Sequence, residues 1–502
     1  MKKKILIIGG GISGLTAGIY ARKAGFEAEI YEQHRVAGGE CTGWNRQGFH
    51  IDNCIHWMMG TTPGSELYRI WETVGAVGSG IQIHKADSMY TSELNGQQIT
   101  LWKDLDRTEK ELLELSPEDA AEIKDLIKSC RMAQKVQIPA KMPPEQIGPV
   151  EGIKMLFTMG SALKLLKKYE GTDTRDLMNR FSHPLIRCMI SDFCTAESLA
   201  NSFPMAYGNF AGGDGGIPKG GSFAMTQRMR KTFEKLGGRI FTGKKVERIL
   251  LESGSQKEEL CAAGILLEDQ TRVLGDYVVP ACDLSVTFGK LLSKDNMSPF
   301  LKEVFQNRKA YPIYSAFQTA FALESGENLI GREAVLDCSG LELSPPVGNR
   351  LTVKVYDYEP EFAPEGRQIV QTLMGGPEEL YEVWKELYRD QEAYRQKKAE
   401  LAGKIQGFLE ERFPACKGKL TLLDAWTPMT YERYMSAYKG FYQSYTITKM
   451  SAKQPYPSAF VEGISHLVLA GQWLNPPGGL PGAAIAGKFA VQRIQKLEAE
   501  GK

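Results

Sequence analysis

The chain of 502 residues has no run of about 18 apolar residues, so no segment reads as a membrane-spanning helix. Its six histidines include no H-x-x-x-H spacing, and metal catalysis of that type is excluded. Nine cysteines are scattered, odd in number and free of any C-x-x-C pair. That excludes a disulfide framework or thiolate zinc site and suits a reducing cytoplasm. Charge of one sign is also missing: 61 basic against 60 acidic residues leave a net +1, well mixed along the chain. Nothing in that balance favours nucleic acid as a partner. There is no internal repeat and no low-complexity segment. What the chain does have is glycine, 52 residues, much of it in clusters beside short apolar runs.

The first cluster is the most informative. Ile5-Leu6-Ile7-Ile8 suits a buried parallel strand and belongs to the cofactor domain rather than to a signal peptide. Gly9-Gly10-Gly11-Ile12-Ser13-Gly14 is a G-x-G-x-x-G turn, Leu15 to Ala24 reads as a helix, and Ala28 to Tyr31 is a second strand ending in Glu32. Each part has a task in holding a dinucleotide. Gly9 permits the tight turn, Gly11 lets backbone approach a pyrophosphate, and Gly14 lets helix and strand pack closely. The helix start offers free N–H groups to phosphate. Glu32 can accept from ribose hydroxyls.

Arg35-Val36-Ala37-Gly38-Gly39 follows directly, completing E-x-x-R-x-x-G-G. A second glycine pair brings the next loop to the same pyrophosphate, with Arg35 binding phosphate or fixing the loop. The plainer alternative is an ordinary turn with a surface arginine. Far along the chain, Ser465 to Gly471 reads as a strand entering a turn, Pro477-Gly478-Gly479-Leu480-Pro481 follows, and Ala483 to Leu497 reads as a helix. In the middle, Pro218-Lys219-Gly220-Gly221 opens a helix over Ser222–Leu236. The strand Arg239–Thr242, a V-x-x-I strand at Val246 and a return strand Asp276–Ala281 come next.

With these motifs the chain resembles the phytoene desaturase and carotenoid isomerase group of FAD-dependent oxidoreductases, within the amine-oxidase-like flavoprotein superfamily. The resemblance implies FAD as cofactor. It implies contacts from Gly9, Gly11, Ile12, Ser13, Gly14, Glu32, Gln33, Arg35, Gly38, Gly39, Glu40, His56 and Trp57. Val246 and Ala281 join them from the middle, and Gly471, Gln472, Gly478, Gly479, Leu480 and Pro481 from the far end. The chain departs from the group's pattern in three places: Glu40 stands where arginine is common, Ile51 replaces phenylalanine and Cys54 replaces glycine.

Because these motifs must converge, the fold class is α/β: a discontinuous Rossmann-like FAD-binding domain with an inserted α+β substrate domain, an antiparallel sheet plus helical cap. The FAD-binding domain is assigned to 1–85, 200–295 and 455–502. The substrate domain takes 86–199 and 296–454, with the cap around 108–199. Strand candidates in the insert are Tyr311–Glu324, with Tyr311, Ile313, Phe317 and Phe321 on one face, Leu351–Tyr356 and Gln368–Leu373. Helical patterns cover 377–413 and 108–200, broken near Pro143-Pro144 and Gly148-Pro149. Over Ile153–Lys168 an apolar stripe of Leu156, Met159, Leu163 and Leu166 runs beside four lysines. It is either a cap helix with a solvated face or a site of peripheral contact with an anionic membrane.

His56 and Asp52 are the catalytic candidates, the first as an acid or base near the flavin and the second as the acid of the group's G-x-x-F-D-x-G element. The plainer alternative for His56-Trp57 is a hydrogen-bonded histidine beside a core tryptophan. Cys41 and Cys54 are expected to be structural, Trp473 and Asn475 to face the flavin, and Tyr431, Tyr434 and Tyr438 to fall at helical spacing ahead of Tyr442 and Tyr445. The expected activity is desaturation, saturation or double-bond isomerisation of an apolar isoprenoid-like or lipid substrate. Flavin amine oxidation and a non-catalytic prenyl carrier of the same fold are the alternatives. No second G-x-G-x-x-G opens a nicotinamide domain, so the electron partner is left open among oxygen, a quinone and another flavoprotein.

Overall fold

A computed structural model describes residues 2–254, 260–324, 326, 329, 331–341, 343 and 347–501, without the side chains of 156–158. The glycine-bounded apolar runs form one sheet. Ile464–Val468, Tyr277–Pro280, Lys4–Ile8, Glu27–Glu32 and Arg239–Thr242 lie side by side in that order, all parallel. Their continuous hydrophobic character is what a sheet covered on both faces requires. An antiparallel pair, Val246–Ser253 and Leu260–Leu267, extends the edge beyond Ile464–Val468. The first helix runs Ile12–Lys23, starting three residues before the expected Leu15 because Gly11 is already the extended residue ahead of it.

A second sheet carries the strands Thr421–Trp426, Tyr314–Glu324, Arg367–Pro377, Arg350–Val355, Glu333–Asp337, Ser88–Leu94 and Gln97–Trp102 in spatial order. Every pairing is antiparallel except Glu333–Asp337 beside Ser88–Leu94. The strand expected from Tyr311 begins at Tyr314. Both of its faces are buried; Phe317 and Phe321 share one, and Phe317 stacks on Trp384 with 5.5 Å between centroids. Tyr311 and Ile313 leave the strand and join the core of the first domain.

The cap packs over Ser88–Trp102 through helices at Leu105–Leu115, Ala120–Ala133, Gly160–Lys168 and Pro184–Ser191. Helix Ser202–Asn209, placed by the sequence in the nucleotide-binding part, belongs to this cap: the Tyr207 hydroxyl donates to Trp102 O at 2.7 Å. Conversely, Leu301 and Val304 of helix Pro299–Gln306 sit in the nucleotide-domain core. The expected helix over 153–168 is two helices, Pro149–Thr158 and Gly160–Lys168, meeting at Met159. Ala162 and Leu165 turn inward, whereas Leu163 and Leu166 are exposed; the Leu156 side chain lies outside the described residues. No described helix is long and apolar enough to cross a membrane.

Candidate flavin site

The carboxyl ends of the parallel strands converge, and this is where an open α/β sheet binds ligands. Consecutive backbone hydrogen bonds knit the converging turns: Gly9 N donates to Tyr31 O at 2.9 Å, Ala281 N to Ile8 O at 2.8 Å and Ala470 N to Pro280 O at 2.9 Å. The two N-terminal glycine motifs also meet, since Gly38 N donates to Gly10 O at 2.9 Å. Gly38 and Gly39 have φ of 143° and 61°, which L side chains disfavour. Glu32 ties this turn together, its carboxylate accepting from Gly10 N at 2.6 Å and His34 N at 2.7 Å. Helix Gly479–Glu500 packs on Ile12–Lys23, so the two ends of the chain close one cleft.

That cleft is a cavity of about 720 Å³, in the range of small-molecule sites. Of the residues assigned to the cofactor, Gly9, Gly11, Ile12, Ser13, Glu32, Gln33, Gly38, Gly39 and Glu40 line it from the N-terminal side. Val246, Ala281, Gly471, Gln472, Gly479 and Leu480 complete that wall. The Ser13 hydroxyl is buried there without a protein partner, which fits an acceptor such as a pyrophosphate oxygen. Gly14 does not line the cavity but must be glycine: a Cβ would stand 1.9 Å from Gly9 O. A Cβ at Gly478 would stand 2.7 Å from Gln472 Oε1 and 3.0 Å from Ser444 N, and Gln472 Oε1 accepts from Gly479 N at 3.0 Å. Pro481 lies in the first turn of the last helix, outside the cavity wall. Arg35 is exposed and does not line the cavity either.

The segment after the glycine pair goes elsewhere than the sequence spacing suggests. Gly43–Arg46 and Phe49–Asp52 form a hairpin that carries the chain away from the turn. Asp52 is buried and holds the start of helix Gly221–Lys235, accepting from Ser222 N and Ser222 Oγ, both at 2.8 Å. Burial pushes its carboxyl up to about 6 despite those bonds. His56 Nδ1 lies 3.0 Å from Glu333 Oε1, and Trp57 packs against Phe193 and Phe210 of the cap. None of Asp52, His56 and Trp57 lines the flavin cavity. Instead the second sheet grips this segment. Lys354 Nζ donates to Ile55 O at 2.7 Å, Gln371 Nε2 to Asp52 O at 2.9 Å and Tyr356 OH to Asp52 O at 3.4 Å. Sequence reading missed these three, since a polar residue alternating with valines ordinarily marks a solvent face.

The opposite wall comes from Trp44 and Arg46 of the hairpin and, around the second sheet, from Tyr394 and Lys398, Asp424 and Trp426, and Met429 with Tyr431. Trp44 and Trp426 meet edge to face at 5.1 Å. Tyr431 and Tyr434 share helix Pro428–Met435, but left-handed Ser436 ends it, so Tyr438 does not continue their spacing. Tyr438 and Tyr445 pack on Trp473, itself a cavity residue, whereas Asn475 is not. Glu40 faces the cavity with no cation in ion-pairing distance among the described residues. Burial, the Cys54 thiol and the Asp283 carboxyl push it well above the usual carboxylate range. Cys41 and Cys54 also line the cavity. Burial, with the Cys54 thiol and the Asp52 carboxyl beside it, pushes the Cys41 thiol well up, which keeps it protonated and unreactive. Among the described residues no group of three His, Cys, Asp or Glu could hold a metal ion.

Comparison with known proteins agrees with this geometry. The family model described as flavin containing amine oxidoreductase matches residues 12–495. All-trans-retinol 13,14-reductase of Danio rerio is 22% identical, over 98% of this chain and 87% of its own length. Chloroplastic prolycopene isomerase of Daucus carota is 23% identical, over 97% of this chain and 79% of its own. The crystal structure of an oxidoreductase from Methanosarcina mazei superposes with a TM-score of 0.60 at 20% identity, covering 98% of this chain and all of that one. A glycine-lined cleft closed by both chain ends, matched almost end to end by that family model, makes this chain a member of the flavin-containing amine oxidoreductase family and an FAD-dependent oxidoreductase.

Proposed function

We propose that the protein acts at a carbon–carbon double bond of an apolar, isoprenoid-like or polyunsaturated lipid substrate. The observation that carries the reading is the aromatic second wall: Trp44, Tyr394, Trp426, Met429 and Tyr431 face the same cavity as the glycine turns. Rings of this kind pack an extended apolar chain and exclude water from the reacting bond. Relatives named for retinol reduction and prolycopene isomerisation support it.

Bound FAD supplies hydride transfer. The chain's own residues hold it and shape its surroundings. The starts of helices Ile12–Lys23 and Gly479–Glu500, with Ser13, offer donors to the pyrophosphate, and Glu32 fixes the turn beside them. Glu40, its proton-bearing form favoured by burial, stands as the group able to give or take a proton at its carboxyl oxygen. The cationic side chains on the cavity wall opposite the glycine turns, Arg46, Arg395, Lys398 and Arg433, are a poor reception for a protonated amine, which disfavours amine oxidation. An intact glycine cradle disfavours a carrier without cofactor. Exposed Val150, Ile153, Leu163 and Leu166 near Lys154, Lys164 and Lys167 support peripheral docking on an anionic membrane, which co-sedimentation with phosphatidylserine vesicles would detect.

Anaerobic flavin spectroscopy with retinoids, carotenoids and polyunsaturated fatty acids tests the reading. Bleaching on addition means desaturation, reoxidation of reduced enzyme means saturation, and a changed isomer profile without net redox means isomerisation. Silence towards every polyene together with bleaching by primary amines would overturn it.

A further inference from the structure

The cationic part of the cavity wall is not explained by an apolar substrate alone. Lys398, on helix Gln391–Arg412, is half-buried and lines the cavity. No carboxylate lies in ion-pairing distance of its ammonium among the described residues; its nearest neighbour of note is the Tyr394 ring, 5.5 Å from Nζ to centroid. Burial lowers its pKa, and the nearby Asp424 only partly offsets this. Asp424 is already committed, pairing with Arg46 Nε at 2.9 Å and accepting from Trp44 Nε1 at 3.0 Å. Arg433, from helix Pro428–Met435, is exposed at the mouth of the cavity, has no carboxylate in pairing distance among the described residues and lies over the Tyr434 ring at 5.0 Å. Arg395, three residues from Lys398, has only an exposed pair with Glu392 at 3.0 Å, which neutralises little of its field.

Cations from separate elements of the substrate domain therefore line one cavity, and the carboxylate lining it from that domain, Asp424, is taken by Arg46 and Trp44. A half-buried ammonium without a partner is costly unless a ligand supplies the anion. The glycine turns and helix starts that fit the FAD pyrophosphate belong to the other domain. On the reading of an apolar polyene substrate, on which this step rests, we propose that Lys398 and Arg433 bind an anionic head group of that substrate. The substrate is then an amphipathic acid, with its apolar chain along Trp44, Trp426 and Tyr431 and its carboxylate or phosphate at the cations. This sets head-group specificity and orients the chain, so the reacting bond is chosen by its distance from the acid.

The test uses FAD-loaded protein and the fluorescent polyene cis-parinaric acid beside its methyl ester, with farnesyl monophosphate as competitor. The acid should bind about tenfold more tightly than the ester, the size of one charge-assisted contact. Lys398→Met and Arg433→Met should each remove most of that preference, leave ester binding within about twofold and leave FAD affinity unchanged. Displacement by farnesyl monophosphate and not by farnesol would assign a phosphate head; displacement by neither leaves the carboxylate as the head group. Equal binding of acid and ester, binding of neither, or equal loss of both in the variants would overturn the proposal. A fall in FAD affinity in Lys398→Met and Arg433→Met would also overturn it, by assigning the cations to the cofactor. Because these readouts are binding constants, they stand apart from the flavin spectra: selective binding of the acid with no spectral response would sink the reaction and keep the head-group site.

Discussion

Gly487 is a point of close contact between the two ends of the chain, and replacing it by alanine tests the closed-cleft architecture directly. A Cβ there would lie 2.2 Å from Ser13 O, 3.0 Å from Ala17 N and 3.0 Å from Thr16 Cβ. The first two of these are backbone atoms inside helix Ile12–Lys23, so no rotamer change can relieve the clash. Restoring a normal carbon–oxygen separation requires the helices to part by roughly 1 Å, at a cost of about 1–3 kcal/mol for overpacking. The same movement separates Ser13 from Leu480 and Ala483, all of which line the cavity. Gly487→Ala should therefore weaken FAD by at least about tenfold, the equivalent of 1.4 kcal/mol, and lose much of the thermal shift that FAD confers. Gly403→Ala is the control. It lies in helix Gln391–Arg412 with open space around its would-be Cβ, and should stabilise by up to about 1 kcal/mol through helix propensity alone. Flavin fluorescence titration and thermal melts of both variants decide the matter. If Gly487→Ala holds FAD within twofold of wild type and melts at the same temperature, helix contact does not set the cleft.

Two further perturbations address the framework. Asp52 has a folded-state pKa of about 6 against an ordinary 3.8, so its contribution to stability is full below 3.8 and lost as pH rises through 6. That gap corresponds to about 3 kcal/mol, and Asp52→Asn, which cannot ionise, should gain on wild type by up to that amount between pH 4 and 6; a pH-independent difference in denaturant unfolding would refute it. Arg350 binds Asp192 through both Nε and Nη2, at 2.7 and 2.8 Å, and donates to Glu93 O at 2.7 Å, joining cap to sheet. Arg350→Met should cost about 3–5 kcal/mol by stranding the buried Asp192, and Arg350→Met with Asp192→Leu should recover most of it; equal loss in both would contradict a charge effect.

The residues that were legible in the sequence act through their own backbone. Gly9, Gly38, Gly39 and Gly478 all adopt positive φ, and such conformations are written into the residue type itself. Strand, turn and acid in Lys4–Glu32 are likewise local and fix one another. Lys354, Gln371 and Tyr356 were illegible for the converse reason. Each reads as the polar half of an alternating strand, and only the arrival of Asp52–His56, some three hundred residues earlier in the chain, makes that face interior. His56 and Trp57 stand close to Gly39 in sequence, but the hairpin Gly43–Asp52 intervenes and delivers them to Glu333 and the cap. Sequence proximity to a motif is thus a weak guide once a hairpin lies between.

The same distinction bears on charge. A net +1 over 502 residues reads as an absence of electrostatic purpose, because composition averages over every ion pair on the surface. In the cavity the averaging fails. The first domain contributes three carboxyls there, Glu32, Glu40 and Asp283, each with its pKa raised by burial, and Lys245, which pairs with Glu268. The opposite wall contributes Arg46 from the hairpin and Arg395, Lys398 and Arg433 from the second domain, against the carboxylate of Asp424. Burial thus favours the protonated form of those acids, while guanidinium groups stay charged at any accessible pH. One wall of the cavity is therefore rich in cations although the chain is balanced, and a neutral composition is compatible with a site selective for anions.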